Sequence, residues 1–145
     1  MMLQEAIEYE TYFRCYGIGR KYVRVMKYNP AAPGPMRYKD VSPGPIEPEL
    51  LKELETDVLA ICTALGYDMN TVELAVRDGI PYAIDFMNPA PDADYNSVGP
   101  ENFEWVVRTT AKYLVDCTAR TKRIPQFTAN GALEPGSGDG GVASS

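Results

Sequence analysis

Histidine is absent from this 145-residue chain. That removes serine–histidine and cysteine–histidine nucleophile pairs, histidine zinc sites and imidazole acid–base chemistry. Cysteine is scarce. Cys15, Cys62 and Cys117 are odd in number and widely spaced, which argues against a disulfide scaffold or a zinc motif and for a reducing, cytoplasmic setting. No apolar run approaches the roughly 18–20 residues that span a bilayer, and MMLQEAIEYE lacks the basic-then-apolar pattern of a signal peptide. No membrane association is expected. Basic charge is in deficit: 14 Lys and Arg against 20 Asp and Glu give a net charge of −6, so no nucleic-acid surface is expected either. What remains is ordinary for one soluble globular domain, with 45% hydrophobic and 23% charged residues. Any chemistry must use carboxylates, Lys, Arg, amides or backbone groups.

The composition divides the chain. Residues 1–28 are rich in aromatic and β-branched residues. Residues 29–47 hold Pro30, Pro33, Pro35, Pro43 and Pro45 with Gly34 and Gly44, a pattern that predicts a long ordered loop or excursion rather than a strand. Residues 48–123 read as compact, and 1–123 together as one domain. From 124 the chain is Gly- and Ser-rich and ends GSGDGGVASS, a composition that predicts a disordered tail.

Within the domain, TYFRCYGI (11–18) and YVRVMKY (22–28) read as strands joined at Gly19-Arg20-Lys21. Pro48 suits a first helical turn. Leu50, Leu51, Leu54, Val58, Ile61 and Leu65 then recur at helical spacing up to Gly66, a left-handed stop. TVELAV (71–76), the turn Arg77-Asp78-Gly79 and IPYAIDF (80–86) form a second hairpin. A second helix runs from 100 to 118 with a stripe of Phe103, Val106, Val107, Ala111, Leu114 and Val115. The expected class is α+β: two antiparallel hairpins packed with two long helices. The first hairpin alone would leave sheet edges unpaired.

The second hairpin carries the strongest chemical signal. Pairing about Asp78-Gly79 places Glu73 and Asp85 at one end of neighbouring strands, with Asn88 just beyond. Two carboxylates and an amide oxygen are hard ligands of the kind Mg²⁺ takes. The alternative is a pair of solvated strand ends. Apolar neighbours favour the cation, because an unpaired carboxylate buried among Val72, Leu74, Ile84 and Phe86 would cost several kcal/mol. Arg14, mid-strand between Phe13 and Cys15, offers a planar fork of donors suited to phosphate, or snorkels to water. Asn88-Pro89-Ala90-Pro91-Asp92 is either a stiff exit that fixes Asn88 over a site or a simple turn. Gly17 and Gly19 form no phosphate-binding fingerprint, because no helix follows.

NTVELAVRDGIPYAIDFMNPAPDADYNSVGPENFEWVV resembles the C-terminal subdomain of ATP-grasp enzymes, and QEAIEYETYFRCYGIG resembles that superfamily's hinge and following strand. The family pattern is an acid on one strand, a turn, then an acid and an Asn on the next. Many members have one residue between the second acid and the Asn; here Phe86 and Met87 both intervene. The resemblance implies a fold like the C-terminal half of ATP-grasp. It implies that the hinge stretch Gln4-Glu5-Ala6-Ile7 reads adenine, with Glu5 and Ile7 offering backbone groups. It implies that Glu10, or Glu8, holds the ribose; that Arg14 faces the γ-phosphate or acylphosphate; and that Glu73, Asp85 and Asn88 ligate Mg²⁺. The implied activity is that of an ATP- and Mg²⁺-dependent ligase, which activates a carboxylate as an acylphosphate for attack by an amine or similar nucleophile. The family's preceding subdomain, with its lysines and Gly-rich loop, has no counterpart here. The chain is therefore expected to resemble a fragment that is inactive without an N-terminal half. The competing reading is a non-catalytic remnant or partner-binding module.

Overall fold

The computed structural model describes residues 5–120. Gln4 and the tail expected from 124 lie outside the described residues. The chain divides into two compact units, 1–113 and 114–145. In the first run β1 (Thr11–Ile18), β2 (Tyr22–Lys27), α1 (Pro48–Leu65), β3 (Met69–Arg77), β4 (Ile80–Asn88), the short α2 (Tyr95–Val98) and most of α3 (Pro100–Arg120). The second is described only through the last turns of α3.

The class is α+β. The two hairpins merge into one four-stranded antiparallel sheet of order β2-β1-β3-β4. β1 is therefore an interior strand, paired with β2 on one side and β3 on the other. That covers the β1 edge a lone first hairpin would expose, leaving β2 as an edge strand, and it accounts for β1's near-continuous burial. Asp78 (φ 53) and Gly79 (φ 74) both adopt left-handed backbone between the paired Arg77 and Ile80. This tight turn suits the strand twist and needs residues that tolerate positive φ.

α1 covers one face of the sheet. Its boundaries match the sequence reading, with Pro48 in the first turn and Gly66 at φ 76 as the C-cap. Leu54, Val58 and Cys62 are buried against Phe13, Cys15, Val72, Leu74 and Val76. Cys62 thus completes the stripe, while Leu65 at the helix end is exposed. The helix lies so close to β1 that a Cβ on Gly17 would stand 2.7 Å from Cys62 Sγ.

The other face carries Tyr12, Tyr16, Met26, Tyr28 and Ala75, packed by Tyr38 from the Pro-rich loop, Val98 of α2 and Val106 of α3. Side chains tie that loop down. Lys27 Nζ donates to the carbonyls of Ser42 and Gly44, and Arg37 to Ala32 O and Tyr28 Oη. In α3 the expected stripe is only partly buried. Phe103, Trp105 and Val106 meet the Tyr16–Met26 patch, whereas Val107, Leu114 and Val115 are exposed. Helical spacing shows which residues share a face; it does not show how far along the helix its packing partner extends.

Candidate functional site

The site begins as a row across three strands. Arg14 is the register partner of Glu73, and Glu73 of Asp85. Antiparallel partners share a face, so the row stands on the face away from α1. β4 departs from regular pairing here. Leu74 opposes Ala83 and Glu73 opposes Asp85, which leaves Ile84 as an extra residue. Ala83 and Phe86 pack on the α1 side, and Ile84 packs beside Tyr12 and Ala75 on the other. Ile84 and Asp85 are therefore the doubled position of a β-bulge, a device that re-aims side chains.

A second register shift lies between Thr71 and Glu73, and Asn88 is the partner of Thr71. The two residues between Asp85 and Asn88 are absorbed in this way. Asn70 braces the irregular stretch from within the sheet: it is fully buried, its Nδ2 donates to Phe86 O at 2.8 Å, and its Oδ1 accepts from Asn88 N at 2.8 Å.

Arg14 is nearly buried, with Nε 3.8 Å from Glu73 Oε1 and Cζ 5.5 Å from the centre of the Tyr28 ring. Burial works against its charge, but Tyr38, Glu73 and Tyr28 outweigh it and hold the guanidinium above its ordinary pKa. Arg14 Nε is nonetheless shielded from solvent and, among the described residues, has no hydrogen-bond partner, and so it is with Tyr38 Oη. Burial, above all, pushes the Tyr38 phenol up to about 12. Two buried polar groups without partners at one spot are costly unless something else accepts from them.

Glu73 is oriented from the next strand: Tyr12 Oη donates to its Oε2 at 2.8 Å. Burial, and then this bond, raise the Tyr12 phenol well above its ordinary range, so it stays protonated and donating. Asp92 joins from the loop after β4. Burial favours its neutral form, but Ser97 Oγ at 2.5 Å, the Asp94 N–H at 2.9 Å and the charge of Arg14 hold its carboxyl below the ordinary value. Tyr16 Oη donates to the Asp92 carbonyl and ties this loop to β1. Sequence reasoning missed Tyr12, Tyr38 and Asp92 as site residues. Tyr12 shares Arg14's strand parity and could have been found that way; Tyr38 comes from an irregular loop that gave no signal.

The donor set at Glu73, Asp85 and Asn88 is all oxygen, which fits a hard cation. Among the described residues no group of three or more acidic, Cys or His side chains could hold a metal, so any cation here would rest on the two carboxylates plus amide or ligand oxygens. The residues matched to the hinge lie farther up the chain. Glu5 is exposed, and Ile7 packs against the Tyr12–Tyr28 cluster. Glu10 N donates to Val76 O at 2.9 Å, and Glu10 Oε1 accepts from Asp78 N at 3.4 Å. Glu10 also lines a cleft of about 210 Å³, with Tyr9, Tyr12, Tyr28, Asn29 and Asp40.

No family model matches the chain, and no curated protein matches it. Solved structures do. The crystal structure of D-alanine–D-alanine ligase from Bacillus anthracis complexed with ATP is 18% identical, with a TM-score of 0.57 over 79% of this chain and 38% of the ligase. A second crystal structure of D-alanine–D-alanine ligase from the same organism is 20% identical, with a TM-score of 0.54 over 79% of this chain and 40% of that one. This chain thus spans well under half the length of the ligases it matches, and over most of its own length it shares their fold.

Proposed function

We propose that this chain forms the phosphate- and metal-facing side of an ATP-dependent ligase site of the ATP-grasp kind. The observation that carries the proposal is the pair of buried, unpartnered groups, Arg14 Nε and Tyr38 Oη, beside the Arg14–Glu73–Asp85 row. Arg14 Nε meets Glu73 Oε1 only at 3.8 Å, an ion-pair and not a hydrogen-bond distance, so both groups keep a hydrogen bond to give to an anion. Support comes from the fold, shared with a ligase that was crystallised with ATP.

In this reading Arg14 binds the terminal phosphate or the acylphosphate formed when a carboxylate attacks it. Its planar fork orients the phosphoryl oxygens, and its low-dielectric setting strengthens the contact. Glu73, Asp85 and Asn88 hold Mg²⁺, which supplies charge neutralisation on the phosphate oxygens. Tyr12 fixes the Glu73 carboxylate, and Asn70 fixes the backbone that presents Asp85 and Asn88. The cleft beside Glu10 takes the nucleoside, with Glu10 on the ribose and the stretch 4–7 on the adenine. The nucleophile is an amine or a similar group.

The test is an NMR titration of this chain with a non-hydrolysable ATP analogue, with and without Mg²⁺. Saturable, Mg²⁺-dependent shifts of the Arg14, Glu73 and Asp85 amides are expected, in the millimolar range (about −4 kcal/mol) and abolished by Asp85→Ala. Shifts that ignore Mg²⁺, or that survive Asp85→Ala, would favour the non-catalytic module.

A further inference from the structure

A second cleft, of about 230 Å³, opens at the outer edge of β2. It is lined by Lys21, Tyr22, Val23, Glu55, Leu59 and Trp105. Tyr22 is paired with Ile18 at the turn end of the first hairpin. Along β1 that is four residues from Arg14, roughly 13 Å at strand rise, so this cleft is separate from the row described above.

Its chemistry is lopsided. The Lys21 ammonium lies 5.2 Å, and the Lys112 ammonium of α3 5.1 Å, from the centre of the same Tyr22 ring. The Tyr22 hydroxyl is shielded from solvent and, among the described residues, has no acceptor for its proton. Ammonium groups only donate, so the phenol proton has no acceptor beside it. Hydrogen bonding from Lys112 first, against burial, and then from Lys21 holds the phenol below its ordinary pKa. Both ammonium groups thus share one phenol, neither is in an ion pair among the described residues, and the phenol proton is left without an acceptor. Trp105 and Leu59 supply an apolar wall next to them.

We propose that this cleft binds a small amphipathic carboxylate. The carboxylate accepts from Lys21, Lys112 and Tyr22 Oη, and a flat apolar body lies against Trp105 and Leu59. An anion satisfies all three donors at once, and charge-assisted bonds of this kind are the strong ones. The wall selects a ring or short chain over a bare inorganic anion.

Trp105 is the only tryptophan of the chain, so its fluorescence reports on this cleft. The full chain is titrated with sodium benzoate, with benzyl alcohol as the uncharged ring and with inorganic phosphate as the bare oxyanion. A saturable benzoate response is expected, with both controls at least about tenfold weaker, the worth of one charge-assisted bond or of comparable apolar contact. Lys112 is exposed, so Lys112→Met should keep the wild-type far-UV circular dichroism and weaken benzoate about tenfold. Tyr22→Phe should weaken it several-fold. Benzyl alcohol binding as tightly as benzoate, benzoate affinity unchanged in Lys112→Met, or no saturable benzoate response would each overturn the proposal. Phosphate binding as tightly as benzoate would overturn the role of the apolar wall.

Discussion

Asn70 is a buried polar side chain whose removal should be felt in both stability and the site. It is fully buried, its Nδ2 also meets Cys62 Sγ at 3.8 Å, and its two hydrogen bonds to the backbone, each 2.8 Å, hold Phe86 O and Asn88 N of the irregular stretch of β4. Asn70→Ala deletes both bonds and leaves two half-buried backbone groups unpaired. At about 1–2 kcal/mol for each group left without its partner, the expected loss is about 2–4 kcal/mol. Equilibrium urea unfolding reads this as a lower midpoint at unchanged slope. Asn70→Asp sharpens the test. The ionised carboxylate can still accept from Asn88 N, but it faces the Phe86 carbonyl without a proton and carries a buried charge. Burial raises its folded pKa above the unfolded value of about 3.9. The folded state then holds the extra proton, so stability is greatest below the unfolded pKa and is lost as pH rises through the folded one. Asn70→Asp should therefore approach wild type in acid and fall away from it toward neutrality. A loss below about 1 kcal/mol in Asn70→Ala, or an Asn70→Asp deficit independent of pH, would refute the argument that Asn70 holds the bulge.

Gly17→Ala should destabilise by about 1–3 kcal/mol through overpacking, because the new Cβ would lie 2.7 Å from Cys62 Sγ and 3.3 Å from Val58 Cγ1. In a double-mutant cycle read by thermal unfolding, Cys62→Ala should cost less in that background than alone; simple additivity would disprove the clash. Asp92 has a carboxyl held below its ordinary pKa, so its contribution to stability is present above the unfolded value and lost as pH falls through the folded one. Asp92→Asn should flatten the acid limb of a plot of Tm against pH, and parallel limbs would contradict this.

The sequence by itself determined the local elements, because their causes are local. The apolar spacing of Leu54 and Val58 and the caps Pro48 and Gly66 fix α1, and Asp78-Gly79 fixes the second hairpin through residues that accept positive φ. That turn put Glu73 and Asp85 near one end of neighbouring strands, but continued regularly from Arg77–Ile80 it would pair Glu73 with Ile84 and turn Asp85 to the other face. Tertiary structure decided what depends on distant contacts. It joined β1 to β3, which placed Arg14 opposite Glu73. The doubled position at Ile84 and Asp85 needs the whole ladder, since a bulge is a mismatch between two strands rather than a property of one. Tyr38 reaches the site from a loop with no periodicity to read, and Asp92 reaches it through Tyr16. The exposure of Val107, Leu114 and Val115 was also out of reach: helical spacing sets which side chains share a face, and only the packed structure sets where the neighbour ends.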